Sequence, residues 1–432
     1  MVYAAQSTLF GKGAASWSKL APSKLPTITT DPDVTIALSG IGAADYTLFL
    51  DNRAGIGHAP LALMAGHFPF IEFRTADGSP HVSGLPSIEE PEILPRALDQ
   101  FTNRLITLFA MVMDRRKRDC RSFWSARKHP SAATPLTYLA ASLAQKLHHR
   151  ATRGRHRADH WRIGIRPRRE MAFNGDIGLD GFSLLPDDGA RYYADPVLWH
   201  EAGRDYLFLE EYPYATGKGI ISYTELTSDG EAAFPPRPVI TREGHLSYPF
   251  LFRHEGEIWM IPENAAEGHI PLYRARRFPD EWVFERPLIE GLALHDATLF
   301  AHDGFWWLLG NAALHKSSSW DCLMIYRAES PLGPFTPHRS NPVLVDARDT
   351  RPAGVPLLIE GKLVRPVQNC LGGYGRFTRF MEIDELSLES FRQHQIARLA
   401  APEKDTIAGV HTYSRSARFE AVDILTPRGF AR

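Results

Sequence analysis

Apolar residues in the second half of this chain come in short runs, each closed by an acid–glycine turn. Asp195-Pro-Val-Leu-Trp199, Tyr248-Pro-Phe-Leu-Phe252, Asp296-Ala-Thr-Leu-Phe300 and Ala353-Gly-Val-Pro-Leu357 each head such a unit. Turns at Glu201–Gly203, His254–Gly256, His302–Gly304 and Glu360–Gly361 follow. Each turn leads into a second apolar run, ending at Glu210, Glu263, Asn311 and Gln368, fifteen residues after its head. The heads are 53, 48 and 57 residues apart, and a weaker copy runs from Ala408 to Asp423. Third runs at Gly219–Tyr223, Pro271–Arg274, Leu323–Arg327 and Thr378–Ile383 complete the pattern. Repeats of about 40 to 50 residues holding several short strands predict propeller blades, here five. The run His160–Ile165 lies outside any complete repeat and is expected to close the ring against the last copy.

The first half has a different rhythm. Val34–Leu38, Tyr46–Leu50 and Phe68–Phe73 are short apolar runs bounded by Gly and Asp, as buried strands are. Leu94, Leu98, Phe101, Leu105, Leu108 and Val112 recur at steps of three and four, which predicts one apolar helix face. Leu136, Leu139, Leu143 and Leu147 predict a second helix, with Lys146, His148, His149 and Arg150 about its end. The expected fold is mainly β: a small α/β accessory domain over residues 1–117, a basic helical linker over 118–159 and a five-bladed propeller over 160–432. Ser39-Gly40-Ile41-Gly42 follows a strand but is too short for a nucleotide fingerprint and reads as a turn.

Composition narrows the setting. Of 432 residues, 23% are charged and 44% hydrophobic, ordinary for a globular protein. No apolar run reaches the length of a membrane span, and the start lacks the order of a secretory signal. Cys120, Cys322 and Cys370 have neither metal-ligand nor disulfide spacing, so neither metal nor cofactor is expected, and a reduced cytoplasmic setting is. The net charge of −1 hides an asymmetry: between Asp114 and Glu170 sixteen Lys or Arg face four Asp or Glu. A basic amphipathic helix of this kind suits an anionic membrane surface, peripheral at the inner face; the alternative is a linker helix packed on the propeller. Few aromatics interleave the basic block and the rest of the chain is acidic, so no nucleic acid partner is expected.

In a propeller, matching positions of the inner strands form a ring about the axis. That ring holds Asp195, Tyr248, Asp296 and Ala353, with Glu210, Glu263, Asn311 and Gln368 beside it. Ala194-Asp195-Pro196, Glu210-Glu211, His245-Leu-Ser-Tyr-Pro249, Pro262-Glu263-Asn264, His295-Asp296, Arg351-Pro-Ala-Gly354 and Arg365-Pro-Val-Gln368 resemble the arabinanase, levansucrase and invertase superfamily of five-bladed propellers. More closely, they resemble the propeller region on the N-terminal side of glucosamine inositolphosphorylceramide transferases and its bacterial relatives. The resemblance covers about residues 160–430. It implies a pocket handling a carbohydrate, sugar phosphate or glycolipid, with Asp195 as base and Asp296 as orienting group. It places the acid at or beside Ala353, where no carboxylate stands, so Glu263 is the expected donor, with Glu210 or Glu211 next. It also implies that the transferase activity of the longer members belongs to a separate domain outside this sequence.

The remaining polar residues are expected to bind substrate: Glu210, Glu211, His245, Tyr248, Asn264, His295, Arg351, Arg365, Gln368 and His411. Arg351 or Arg365 would stabilise a departing phosphate. Two functions follow. One is an enzyme that cleaves or transfers a glycosidic bond in surface polysaccharide or glycolipid metabolism. The other is a propeller that only recognises glycan.

Overall fold

The computed structural model describes residues 35–36, 46–114, 135–152, 160–170, 173–399 and 409–426. The Ser39–Gly42 turn, most of the expected strand Val34–Leu38, the basic stretches 115–134 and 153–159, and the side chains from Gln145 onward in the linker helix lie outside the described residues.

The chain is mainly β. Beyond residue 160, the described residues form five sheets of four or five strands, antiparallel except where Gly175–Ile177 pairs parallel with Phe391–Leu399. The first holds Arg191–Glu201, Arg204–Pro213, Ile220–Leu226 and Arg237–Ile240. The second holds Ser247–His254, Glu257–Glu263, Ile270–Arg277 and Glu281–Ile289. His295–His302, Phe305–Asn311 and Cys322–Ala328 make most of the third. Lys362–Asn369, Phe377–Leu386 and Phe391–Leu399 make most of the fourth. In the fifth, His160–Pro167 pairs antiparallel with Phe419–Thr426 over eight residues, so the start of this half closes on its end. Apolar clusters fill the gaps between successive sheets, for example Tyr248, Phe250 and Ile261 of the second against Leu294, Leu299 and Leu308 at the third.

One irregularity recurs and shapes everything at the centre. In the first three sheets the head strand carries a bulge at the same register, two residues facing one on the partner strand. The first bulged residue is left-handed each time: Asp195 (φ 50°), Tyr248 (φ 44°) and Asp296 (φ 53°). Such conformations cost energy for any residue with a Cβ, most for a bulky one such as Tyr. Their amides are held by carboxylates instead of by the sheet. Asp195 N–H donates to Asp423 Oδ2 (3.0 Å), Tyr248 N–H to Asp195 Oδ2 (3.0 Å) and Asp296 N–H to Glu263 Oε2 (2.9 Å). Gln368 Nε2 donates to Asp296 Oδ2 (2.7 Å), and Tyr413 N–H to Ala353 O (2.7 Å). These bonds run from each sheet to the next and from the fifth back to the first.

The fourth repeat departs from the expected pattern. Ala353 is not on a strand; the head strand there is only Leu357–Ile359. Gly354, at φ 141°, lies so close to the fifth sheet that a Cβ would meet Tyr413 O at 2.0 Å. Only glycine allows that approach.

The α/β unit is a sheet of Thr35–Ile36, Tyr46–Leu50, Ile71–Arg74 and Pro80–Gly84, with the short strand Arg53–Ala54 beside Tyr46–Leu50. The 20-residue helix Leu94–Met113 packs on it. Its core includes Cys322 and Val345 of the third sheet, so the two halves share one apolar interior. The linker helix Pro135–Thr152 docks through an unexpected face. Tyr138 Oη donates to Pro91 O (2.7 Å) and Ser142 Oγ to Glu92 O (2.8 Å), while Leu136 and Leu143 stand exposed. Through these described residues it packs on the α/β unit, and Leu139 of the expected face joins the same core.

Candidate functional site

Where the inner strands converge lies a pocket of about 210 Å³. Asp195, Glu210, Glu263, Arg351 and His411 supply its charge or protons; Trp161, Tyr192 and Tyr374 supply aromatic walls; Ala194, His245 and Ser247 complete it. Asp195 and Glu210 come from adjacent strands of the first sheet, and Glu263 from the equivalent strand end of the second. Gly219 makes room for the Glu210 carboxyl, because a Cβ there would lie 2.6 Å from Glu210 Oε1.

Asp195 is ionised and fully engaged. Its Oδ1 accepts from Thr412 Oγ1 (3.0 Å) and faces His411 Nε2 (3.1 Å), and its Oδ2 accepts the Tyr248 amide. Burial alone would raise its pKa; the His411 hydrogen bond and charge, with Thr412 and the amide, outweigh burial and lower it. His411 is the cation behind this. Burial opposes its charge, yet Asp423 and Asp195 hold its pKa up at about 10. Its Nδ1 stands 3.0 Å from Asp423 Oδ1 as an ionic contact without straight alignment. Asp423 also accepts the amides of His411 (3.0 Å) and Thr412 (2.8 Å). Asp195, His411 and Asp423 place one potential ligand atom each within 4.8 Å of one another. While protonated, His411 has no lone pair to offer a metal, so an ion bound here would have to displace that proton.

Glu263 and Glu210 have opposite surroundings. Glu263 is held below the ordinary range: against burial, His295 Nδ1 at 2.9 Å from Oε1, Arg351 Nη2 at 3.6 Å and the Asp296 amide favour its charge. Glu210 is pushed well above its ordinary value by burial first and then by the negative charge of Asp195, with Glu263 adding. Its nearest partners are Tyr192 Oη (3.4 Å) and His245 Nε2 (3.3 Å). His245 Nδ1 accepts the Gly219 amide at 2.9 Å, which leaves the proton of a neutral ring on Nε2, facing Glu210. The surroundings thus favour a proton on Glu210 and charge on Glu263, the reverse of the order expected for the proton donor.

Asp296 does not line the pocket. It sits behind Arg351, which donates from Nε at 2.6 Å and Nη2 at 3.3 Å, and burial with the nearby Glu263 charge pushes its pKa well up against Arg351. Its part is to aim Arg351. Other expected binding residues also fall outside the pocket. The Tyr248 ring is buried between sheets, its Oη 2.9 Å from Thr298 Oγ1. Glu211 turns to the other face of its strand, bound to Arg191 and Ser222. Arg365 braces the carbonyls of Asp349 (2.7 Å) and Thr350 (3.2 Å). Gln368 steadies Asp296 and His295 steadies Glu263. Asn264 is buried away from the lining. Ala353 is buried in backbone contacts, and Arg351, two residues earlier, reaches the pocket in its stead.

Four residues of the site were not anticipated. Tyr192 lies three residues before Asp195 on the same strand. Trp161 belongs to the ring-closing strand, where only a β role was read. Tyr374 sits in Gly372-Gly-Tyr-Gly375, a glycine cluster between two apolar runs that marks an irregular loop. Asp423 ends the weak last repeat, a position whose sequence pattern carries no sign of a site role.

The family described as glucosamine inositolphosphorylceramide transferase 1, N-terminal, has a sequence model that matches residues 186–424. Relatives of that transferase name in rice (Oryza sativa subsp. japonica) and Arabidopsis thaliana are each 33% identical, over 210 and 213 residues. Those stretches are 47% and 48% of this chain but 28% and 27% of the relatives, so the match spans little more than a quarter of their length. Among solved structures, the family 117 glycoside hydrolase Zg3597 of Zobellia galactanivorans is similar at a TM-score of 0.39 and 13% identity, over 61% of this chain and 90% of that one. The catalytic domain of a Coprinopsis cinerea family 62 α-L-arabinofuranosidase is similar at 0.40 and 14%, over 61% and 98%.

Proposed function

The chain belongs to the glucosamine inositolphosphorylceramide transferase 1 N-terminal family, and on that footing we propose that it is a carbohydrate-active enzyme whose five sheets act as blades about one sugar pocket. The reaction is the cleavage or transfer of a glycosidic bond in glycolipid or surface polysaccharide metabolism. Glu210 supplies the proton to the leaving oxygen, and Asp195 or Glu263 is the carboxylate that faces the reacting sugar. One observation carries this reading: a buried carboxyl whose surroundings favour its proton stands beside one whose partners favour its charge, in a pocket walled by Trp161, Tyr192 and Tyr374. Acid–base pairs of this kind are what glycosidic chemistry uses, and aromatic faces suit sugar rings. The test is to incubate the full chain with panels of aryl glycosides, sugar nucleotides and glycosylated inositol lipids and follow sugar release or transfer. Turnover of at least one class is expected; binding without turnover hands the role to the second reading.

That second reading is a propeller that recognises glycan without reacting. The engagement of both Asp195 oxygens and the absence of an acid at Ala353 favour it.

The linker helix supports a peripheral seat on an anionic lipid surface at the cytoplasmic face. Leu136 and Leu143, seven residues apart, are exposed apolar residues among its described side chains, and the surrounding sequence is strongly basic. Each basic residue near such a surface contributes about 1 kcal/mol. The protein is expected to float with anionic vesicles at low salt and to be released at high salt. Equal recovery on neutral vesicles would refute the electrostatic seat.

A further inference from the structure

We infer that the α/β unit is a working part of the pocket, and that Arg104 on its long helix is a positioning residue for Arg351 and Tyr374. The link is a single loop of the third sheet, Leu314 to Asp321. On one side the α/β unit grips it. Arg104 is fully buried with Asp321, Nη2 at 2.5 Å from Oδ1 and Nε at 3.2 Å from Oδ2. Its Nη2 also donates to Ser318 O (2.8 Å), and the Ser87 amide adds a bond to Asp321 Oδ2 (2.8 Å).

The start of the same loop is strained. His315 and Lys316 are consecutive left-handed residues, at φ 54° and 61°. Such a pair persists where its surroundings over-determine it. Both contacts that pin it come from the helix: Thr107 Oγ1 lies 3.0 Å from His315 Nδ1, and Asn103 Nδ2 donates to Lys316 O (3.4 Å).

On its other side the loop meets the pocket through the next two residues. Ser319 Oγ accepts from Arg351 Nη1 at 3.1 Å, and the Trp320 ring lies 5.4 Å from that of Tyr374. Tyr374 in turn lies under the Arg351 guanidinium at 5.1 Å and edge-on to Trp161 at 6.4 Å. Of residues 318 to 321, the outer two thus bond the helix and the inner two meet the site. A shift of the loop moves Arg351 and Tyr374 together. The geometry stands whatever the pocket does; its consequence for sugar rests on the reading above.

The experiment labels the full chain with 5-fluorotryptophan and records the fluorine resonances of Trp320 and Trp161, each assigned by its Trp→Phe variant. Trp161 belongs to the fifth sheet and reports the far wall of the pocket. Arg104→Met is expected to move both resonances by more than their linewidth. Arg104→Lys, which keeps the charge but not the fork, is expected to move them less. Tyr138→Phe, which loosens the α/β unit away from the loop, should leave both in place. Where Arg104→Met fails to fold, the apolar pair Arg104→Met with Asp321→Leu takes its place with the same expectation. A folded variant in which Trp320 moves and Trp161 does not shows that the coupling stops at the interface and overturns the inference. Failure of the sugar reading appears separately, as absence of turnover in the parent.

Discussion

Replacing Glu210 by Gln is expected to lower glycosidic turnover by roughly 100- to 10,000-fold, the range ascribed to a positioned general acid, while sugar binding stays near that of the parent. Gln is neutral, as the protonated Glu210 is, and keeps a donor and an acceptor for Tyr192 and His245, so the fold should lose little. Only the transferable proton goes. The pH profile supplies a second signature. Glu210 is raised above the ordinary carboxyl range, so the parent rate should hold through mildly acidic pH and fall as pH rises through the Glu210 pKa. Asp195 is depressed, so the limb that reports a base should lie well below neutrality. In the Gln variant the upper limb disappears. Glu263→Gln should behave differently: it removes one of the two carboxylates facing Arg351 and one of the two carboxylate oxygens that serve His295 and the Asp296 amide, so it should lower stability, and any fall in turnover should leave the upper limb in place. A Glu210→Gln protein with parental kcat and an unchanged upper limb would leave the proposed acid without support.

The contrast between Glu210 and Glu263 shows what was legible in the chain and what was not. The fifteen-residue offset puts both carboxyls at equivalent strand ends, and the strands fall where the apolar runs predict, because alternation and turn chemistry are local. Protonation is not local. Glu210 is raised beside Asp195, whereas Glu263 is lowered by His295 and by Arg351, 88 positions further along. Two equivalent positions thus receive opposite electrostatics from residues that only the closed ring brings near. Tyr248 teaches a related lesson. Its head position matched that of Asp195, but in a left-handed bulge the amide faces the axis and the ring turns into the core. Arg104 did leave a trace in the sequence. It lies between Phe101 and Leu108 on a helix face that is otherwise apolar, where a charge must find a partner.

The same axis predicts how stability responds to alkali. His411 is buried with a pKa of about 10, against 6.5 for an unperturbed histidine. Folded protein therefore binds more protons than unfolded protein between those values, and the stabilisation is complete below about pH 6.5 and lost as pH rises through about 10. One proton of difference gives a slope of about 1.4 kcal/mol per pH unit, or roughly 5 kcal/mol across the window. Asp423 is the residue that ties this charge to the ring. Replacing it by Ala removes the acceptor of the Asp195, His411 and Thr412 amides and one of the two carboxylates flanking the imidazolium. Breaking a buried pair in this way costs about 3–5 kcal/mol. Urea unfolding at a series of pH values should show Asp423→Ala weakened most near neutrality, with its curve approaching that of the parent toward pH 10. Tyrosine, lysine and cysteine also titrate in alkali, so the informative quantity is the difference between the two curves. His411→Gln should flatten the same part of the parent's curve. Curves that run parallel from neutrality to pH 10 would mean that His411 is uncharged in the folded protein. Asp195 would then lose its main source of stabilisation as an ion, and with it the electrostatic reason for Glu210 to hold its proton.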